Sequence, residues 1–172
     1  IAAKLAHPDR TVIATVGDGA MQMNGINGLI TISRLWRDWP NPHLIVMVLN
    51  NGDLNQVTWE QRVMEGDPKY VESQDVPRFE YAEYAALLGL IGIRVDRADA
   101  VAGAWAEAFS ADRPVVLEMI TDPNVPPLPP HVSLKNMRNY LKALLHRDPD
   151  ALAIVKATMK ESWASLVPGK GD

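Results

Sequence analysis

The chain has 172 residues, of which 47% are hydrophobic and 22% are charged, with a formal net charge of −4. This composition is typical of a globular protein, and the lack of a basic excess argues against a nucleic-acid-binding protein. The chain contains no cysteine, which excludes disulfides, thiol catalysis and cysteine-ligated metal centres.

The first residues, IAAKLA, are typical of the last turns of a helix, which Pro8 ends. No initiator methionine and no N-cap residue precede them. We therefore expect the chain to be part of a longer protein, with its first domain truncated at the N-terminal side.

Apolar, β-branched segments alternate along the chain with segments of helical periodicity. The predicted strands are residues 11–16, 43–49, 92–96 and 114–120, and the predicted helices are residues 20–36, 57–64, 79–88 and 98–109. Residues 65–78 are polar and predict an irregular segment. The alternation indicates an α/β fold with a doubly wound, mostly parallel sheet and helices on both faces.

The composition changes after Ile120, where five prolines follow within nine residues. We interpret residues 1–121 as the main domain, residues 122–132 as a stiff Pro-rich linker, and residues 133–172 as a C-terminal helical extension. The extension contains two amphipathic patterns. Their apolar faces are Leu134, Met137, Leu141 and Leu145 in the first helix, and Leu152, Val155, Met159 and Trp163 in the second.

Two glycine-containing turns follow predicted strands, at the sheet edge where ligands bind in open α/β folds. The first is Gly17-Asp18-Gly19-Ala20 and the second is Asn50-Asn51-Gly52-Asp53. A carboxylate beside a phosphate requires a bridging divalent cation. The Asp18 carboxylate, the Asn51 amide oxygen and the Asp53 carbonyl are oxygen ligands suited to Mg²⁺. Either turn alone is also a common tight turn without a ligand.

The pair of turns, with 30 residues between Gly19 and Asn50, resembles the cofactor motif of thiamine-diphosphate enzymes. The resemblance implies thiamine diphosphate and Mg²⁺ as cofactors. It implies that Asp18, Asn51 and the carbonyl of Asp53 hold the metal, while Gly19, Ala20 and Gly52 lie against the diphosphate.

A finer resemblance is to the C-terminal part of bacterial pyruvate oxidases and pyruvate:quinone dehydrogenases, relatives of acetolactate synthase. It is carried by ATVGDGAMQM, VMVLNNGDLNQVTWEQR, GLIGIRVDRADAVAGAWAEAFSADRPVVLEMITD and PPHVSL. It implies oxidative decarboxylation of a 2-oxo acid such as pyruvate by a homodimer or homotetramer, with FAD bound elsewhere in the full-length protein. It also implies that Leu54, Asn55, Gln56 and Val57 line the cofactor, and that Glu60 faces the substrate as a catalytic residue.

One departure leaves the reaction open. Flavin-reducing members usually have Gly-aromatic where this chain has Asn55-Gln56, so an acetolactate-synthase-like carboligase and a simple decarboxylase remain alternatives. In this family a glutamate of the N-terminal domain activates the cofactor, so we expect residues 1–172 alone to be inactive. A cofactor-free assembly domain is the non-enzymatic alternative.

The resemblance also implies a location. We expect a cytoplasmic protein, with peripheral contact to the inner face of the cell membrane through the C-terminal helices as a further hypothesis. Basic residues would meet anionic headgroups and apolar side chains would enter the interface. The residues concerned are Lys135, Arg138, Lys142, Arg147, Lys156, Lys160, Trp163 and Leu166.

Overall fold

The computed structural model describes residues 1–125 and 134–166, with side chains described as far as residue 159. The chain divides into two compact units. The first unit contains Ile1–Gly52 and Val76–Thr121, and the second contains Asp53–Asp75 and the segment that begins at Asp122.

The first unit is built on four parallel strands in the order β1-β2-β4-β3. The strands are β1 (Val12–Gly17), β2 (Leu44–Asn50), β3 (Ile91–Val95) and β4 (Val115–Ile120). The two central strands are largely buried on both faces, which explains their unbroken apolar sequences. Strand β1 lies at an edge and alternates between partly buried and exposed residues. The predicted parallel α/β sheet is confirmed.

Helices cover both faces of this sheet, as predicted. The helices of the first unit are α1 (Ala2–Ala6), α2 (Asp18–Ala20), α3 (Ile26–Leu35), α6 (Tyr81–Leu87) and α7 (Val101–Ser110). One face packs against α3 and α6 through a cluster that includes Leu29, Tyr81 and Val48. The other face packs against α7 through a cluster that includes Ala108 and Leu117.

Gly92 allows α6 to lie close to β3. A Cβ atom at this position would stand 1.9 Å from the carbonyl oxygen of Ala82. Any larger residue would therefore force the helix and the strand apart.

The second unit contains α4 (Asn55–Glu60), α5 (Val71–Gln74), α8 (Leu134–Leu145) and α9 (Ala151–Leu166). Its core is formed by Trp59, Val63 and Ile154, with Tyr140 and Leu144 packed against them. The short helix α5 lies in the segment that was predicted to be irregular. Four polar or β-branched residues give too little periodicity to predict one turn.

The predicted apolar faces of the two C-terminal helices are largely exposed in this unit. Leu134, Met137, Leu141 and Leu145 are 51–87% exposed, and Leu152, Val155 and Met159 are also exposed. The buried residues are instead Ala143 and Ile154. Apolar periodicity identified the helices, but the contact of α8 is made by Ala143 together with Tyr140 and Leu144. The side chain of Trp163 lies outside the described residues.

None of the helices in residues 1–125 and 134–166 combines the length and apolarity needed to cross a bilayer. Of the predicted linker, Asp122–Val125 are described, and Asp122 accepts a hydrogen bond from the backbone N–H of Asn124. The rest of the linker lies outside the described residues. The division into residues 1–121, 122–132 and 133–172 stays a prediction.

Candidate functional site

The two predicted turns of the first unit lie at the same edge of the sheet. Strand β1 ends at Gly17, which is in register with Leu49 of β2. Asp18 follows as the first residue of a helical run that continues through a π-helical turn, Met21–Gly25, into α3. Because parallel neighbouring strands share a direction, Asp18 and the residues after Asn50 come together at their carboxyl ends.

The Asp18 carboxylate joins the two turns. One oxygen, Oδ2, accepts the backbone N–H of Asn51 at 3.0 Å and that of Gly52 at 2.6 Å. The other, Oδ1, accepts the N–H of Gly19 at 2.8 Å. Asp18 is only 3% exposed, so its charge is removed from bulk water and is stabilised by oriented backbone dipoles.

No lysine or arginine side chain within the described residues lies within 4.0 Å of the Asp18 carboxylate. A buried carboxylate is usually paired with a cation, because desolvating an uncompensated charge is costly. The Asp18 carboxylate is therefore stabilised by backbone N–H groups and not by a basic side chain of the described residues.

The backbone of Asp18 is held by a hydrogen bond from a buried tyrosine. The hydroxyl of Tyr81 donates to the carbonyl oxygen of Asp18 at 3.1 Å, and Gln22 donates to the same hydroxyl at 3.3 Å. Burial raises the pKa of Tyr81 above its ordinary value. The phenol thus stays protonated and remains a hydrogen-bond donor at neutral pH.

Gly52 gives the second turn its shape. Its φ of +70° lies in the left-handed region that favours glycine, and its carbonyl accepts the N–H of Val76 at 2.9 Å. The same turn carries the N–H groups of Asn51 and Gly52 that donate to Asp18.

Glu118 is a residue of this region that sequence reasoning missed. It is fully buried in β4 and accepts hydrogen bonds from the Asn50 amide at 2.7 Å and the Ala82 N–H at 3.0 Å. Arg94 lies 3.6 Å away. Asn50 is thereby fixed at the start of the turn. The signal was a single acidic residue within an otherwise apolar strand sequence, VVLEMI.

Asp53, which follows Gly52 in the chain, belongs to the second unit and is buried. Its Oδ1 accepts a hydrogen bond from the Thr58 hydroxyl at 2.7 Å and lies 3.4 Å from the ammonium of Lys69. Its backbone pairs with Asp75 in an isolated antiparallel bridge. The side chain of Asp53 is thus used within the second unit, and only its main-chain carbonyl was predicted to bind metal.

The other residues that were predicted to line the cofactor or face the substrate differ in their exposure to solvent. Leu54 and Asn55 are partly buried, and the Asn55 amide donates to the Pro123 carbonyl at 2.7 Å. Gln56, Val57 and Glu60 are exposed, and Gln56 donates to Glu60 at 3.1 Å. In the first unit Gly19 is buried and Ala20 is exposed. The cofactor-lining and catalytic roles of these residues stay predictions.

The donor set fits a hard divalent cation. Carboxylate, carboxamide and main-chain oxygens are ligands that Mg²⁺ accepts, and Mg²⁺ usually completes its shell with phosphate and water. No group of three His, Cys, Asp or Glu side chains suited to a metal occurs among the described residues. The buried Asp18 carboxylate, which no lysine or arginine side chain of the described residues contacts, fits such a cation.

Comparison with known proteins gives a consistent result. A family model described as the C-terminal TPP-binding domain of thiamine pyrophosphate enzymes matches residues 1–119. YdaP of Bacillus subtilis, whose name describes it as containing thiamine pyrophosphate, is 32% identical over 150 residues, which are 84% of this chain and 24% of that protein.

Two further relatives are named as enzymes. The acetolactate synthase large subunit of Haemophilus influenzae is 31% identical over 66% of this chain and 18% of its own length. The structure of a thiamine diphosphate-dependent 4-hydroxybenzoylformate decarboxylase from Rhodococcus jostii superposes with a TM-score of 0.59 at 28% identity, covering 70% of this chain and 21% of that one. The chain therefore spans about a quarter or less of the length of these relatives.

Proposed function

The chain belongs to the thiamine pyrophosphate enzymes, as their C-terminal TPP-binding domain, and from this premise we propose that it holds Mg²⁺ and the cofactor diphosphate within a larger enzyme that acts on a 2-oxo acid. The observation that supports this most strongly is the buried Asp18 carboxylate, which binds the backbone of the second turn and contacts no basic side chain of the described residues.

Each residue has a distinct part in this proposal. Asp18, Asn51 and the carbonyl of Asp53 would hold Mg²⁺, with Gly19, Ala20 and Gly52 against the diphosphate. Tyr81 and Glu118 hold the two turns in place through Asp18 and Asn50. When bound, thiamine diphosphate supplies the stabilisation of a carbanion that C–C bond cleavage in a 2-oxo acid requires.

For the whole protein we propose pyruvate as substrate and an oxidase or dehydrogenase reaction with FAD bound outside this chain. The alternative is acetolactate-synthase-like carboligation or simple decarboxylation. The names of two relatives, and Gln56 in place of an aromatic residue, favour this alternative. Assays of the intact protein with pyruvate separate the three: reduction of an electron acceptor, formation of acetolactate, or release of the aldehyde alone.

Cofactor binding tests the proposal itself. The intact protein should bind thiamine diphosphate only with Mg²⁺, and Asp18→Ala should weaken binding by ~100-fold or more, beyond the usual loss for a residue that only supports a ligand. Asp112→Ala removes a carboxylate that pairs with Arg113 at an exposed turn, and should bind as the wild type does. Metal-independent binding would reject the proposed metal site, and no binding would reject the proposal as a whole and leave the cofactor-free assembly domain.

A cytoplasmic location, a homodimer or homotetramer, and peripheral membrane contact complete the proposal. The exposed apolar stripe of α8 is flanked by Arg138, Lys142 and His146, a combination typical of interfacial helices. Co-sedimentation with anionic but not with neutral vesicles, reduced by Leu141→Glu, would support the contact. Equal recovery with both vesicle types would oppose it.

A further inference from the structure

A buried ionic cluster fills the second unit where the residues after the Asn50–Gly52 turn meet the junction of α8 and α9. Arg62 is fully buried. Its Nε and Nη2 donate to the two oxygens of Asp148, each at 2.8 Å, and Nη2 also donates to Asp150 at 2.8 Å. This two-point geometry fixes the guanidinium and the carboxylate against each other.

Lys69 connects this arginine cluster to Asp53. Its backbone N–H donates to Asp148 at 2.9 Å. Its ammonium, on a side chain only 8% exposed, lies 2.6 Å from Asp75, 3.4 Å from Asp53 and 3.8 Å from Asp150. One lysine therefore contacts the residue after Gly52, its bridge partner, and the α8–α9 junction.

The contacts of Asp53 leave its side chain little freedom. Thr58 and Lys69 both bind the same carboxylate oxygen, and the backbone bridge to Asp75 holds the main chain. Because the Asp53 side chain is fixed by the buried ammonium of Lys69, the peptide groups on either side of Asp53 are also restricted. One of them carries the carbonyl that we propose as a ligand of Mg²⁺.

We propose that Lys69 and Arg62 are positioning residues, through which the C-terminal helices set the orientation of the Asp53 carbonyl toward the metal. This inference rests on the proposed function. It gives the C-terminal extension a role in cofactor binding, although none of its residues belongs to the predicted metal or cofactor set.

A purely stabilising role is the competing explanation, because removing one partner of a buried ion pair also destabilises a fold. The test therefore needs a readout that lost stability does not move. We would use Lys69→Met and Lys69→Arg in the intact protein that contains this chain. The deciding readout is the Mg²⁺ concentration that half-saturates thiamine diphosphate binding, and hydrogen exchange of residues 53–60 without cofactor reports the local order of that segment.

Two control variants separate the explanations. Arg97→Met removes an exposed arginine that pairs with Asp99 at 3.0 Å, and should change neither readout. Leu117→Ala truncates a fully buried residue of the first unit. It should lower the melting temperature without changing the Mg²⁺ midpoint.

Lys69→Met is expected to raise the Mg²⁺ midpoint ~10-fold, the size typical of an outer-sphere support, and to increase exchange in residues 53–60. Lys69→Arg should restore most of both. If Lys69→Met lowers the melting temperature but keeps the wild-type midpoint, the inference is wrong. If the wild type binds no thiamine diphosphate, the proposed function is wrong and the metal role of the cluster falls with it.

Asp150→Asn provides a milder variant should Lys69→Met fail to fold. Its carboxylate is one-third exposed and contacts both Arg62 and Lys69. A smaller shift of the Mg²⁺ midpoint in the same direction supports the inference, and an unchanged midpoint contradicts it.

Discussion

Buried carboxylates in the two units are stabilised in different ways, by backbone N–H groups in the first unit and by basic side chains in the second. In the first unit, Asp18 accepts three backbone N–H groups and no basic side chain of the described residues contacts it. In the second unit, Asp148 and Asp53 are paired with Arg62 and Lys69. The charge of Asp18 is therefore not compensated by a basic side chain of the described residues, whereas Asp148 and Asp53 are compensated by arginine and lysine.

The difference indicates how a binding site is distinguished from a structural ion pair. A carboxylate that already has its cation gains little from a metal, because the charge is compensated and well hydrogen-bonded. A carboxylate held only by backbone dipoles is oriented without being neutralised. Burial alone does not separate the two groups, since both are withdrawn from solvent.

The largest expected effect is the loss of stability when Asp148 loses its arginine partner. Arg62→Met should lower the free energy of unfolding by about 3–5 kcal/mol, because it leaves Asp148 buried without its cation. Chemical denaturation of the purified protein measures this. Arg113→Met, which breaks an exposed pair with Asp112, should cause no measurable change. An equally small loss in Arg62→Met would show that the cluster is not buried in solution.

The second effect concerns Asp18 and its contribution to ligand binding. Thiamine diphosphate with Mg²⁺, at about 100 times its dissociation constant, should stabilise the wild type by about 2.7 kcal/mol. Asp18→Asn should lose most of this gain, because the amide keeps the shape of the side chain and removes its charge. Thermal unfolding with and without ligand provides the measurement. Full ligand stabilisation in Asp18→Asn would show that the carboxylate charge is not used.

The third effect tests the left-handed conformation of Gly52 through the free energy of unfolding. Gly52→Ala should cost about 1–2 kcal/mol, because alanine is strained at a φ of +70°. Steric conflict contributes nothing, since the nearest atom to an added Cβ is 3.9 Å away. Gly103→Ala on α7, also without close neighbours and with ordinary helical geometry, should be neutral or stabilising. Equal effects of the two substitutions would remove the argument from turn geometry.

The smallest effect is a pH dependence of the second unit. Burial alone would raise the pKa of Asp148, but hydrogen bonds from Arg62 and the Lys69 backbone outweigh it and hold this pKa below its ordinary value. Such a group contributes stability above its unfolded pKa of about 3.9, which is lost as pH falls through the folded pKa.

Denaturation at pH 7 and at pH 3 should therefore show a loss of stability in the wild type that is reduced in Asp148→Asn. Asp38→Asn, at an exposed position, should keep the wild-type dependence. An Asp148→Asn protein with the full wild-type acid dependence would assign that dependence to other carboxylates.

The elements that position Asp18 were predictable, because strand periodicity and glycine turns are local signals. The sequence placed Asp18 and Asn51 after neighbouring strands, and the register of β1 with β2 confirms that their ends coincide. The contacts of Asp148 were not predictable, since a separation of 79 positions in the chain from Lys69 leaves no periodic pattern. Nor does periodicity reveal that α8 turns Ala143 inward and Leu141 outward.

The central claim is that Asp18 holds a divalent cation against a diphosphate, and Mn²⁺ in place of Mg²⁺ tests it most directly. Electron–nuclear double resonance of the intact protein with Mn²⁺ and thiamine diphosphate reports phosphorus nuclei bound through oxygen to the metal. We predict a phosphorus coupling in the wild type that is lost in Asp18→Ala and retained in Asp112→Ala. A wild-type spectrum without phosphorus coupling, or an unchanged coupling in Asp18→Ala, would contradict the account.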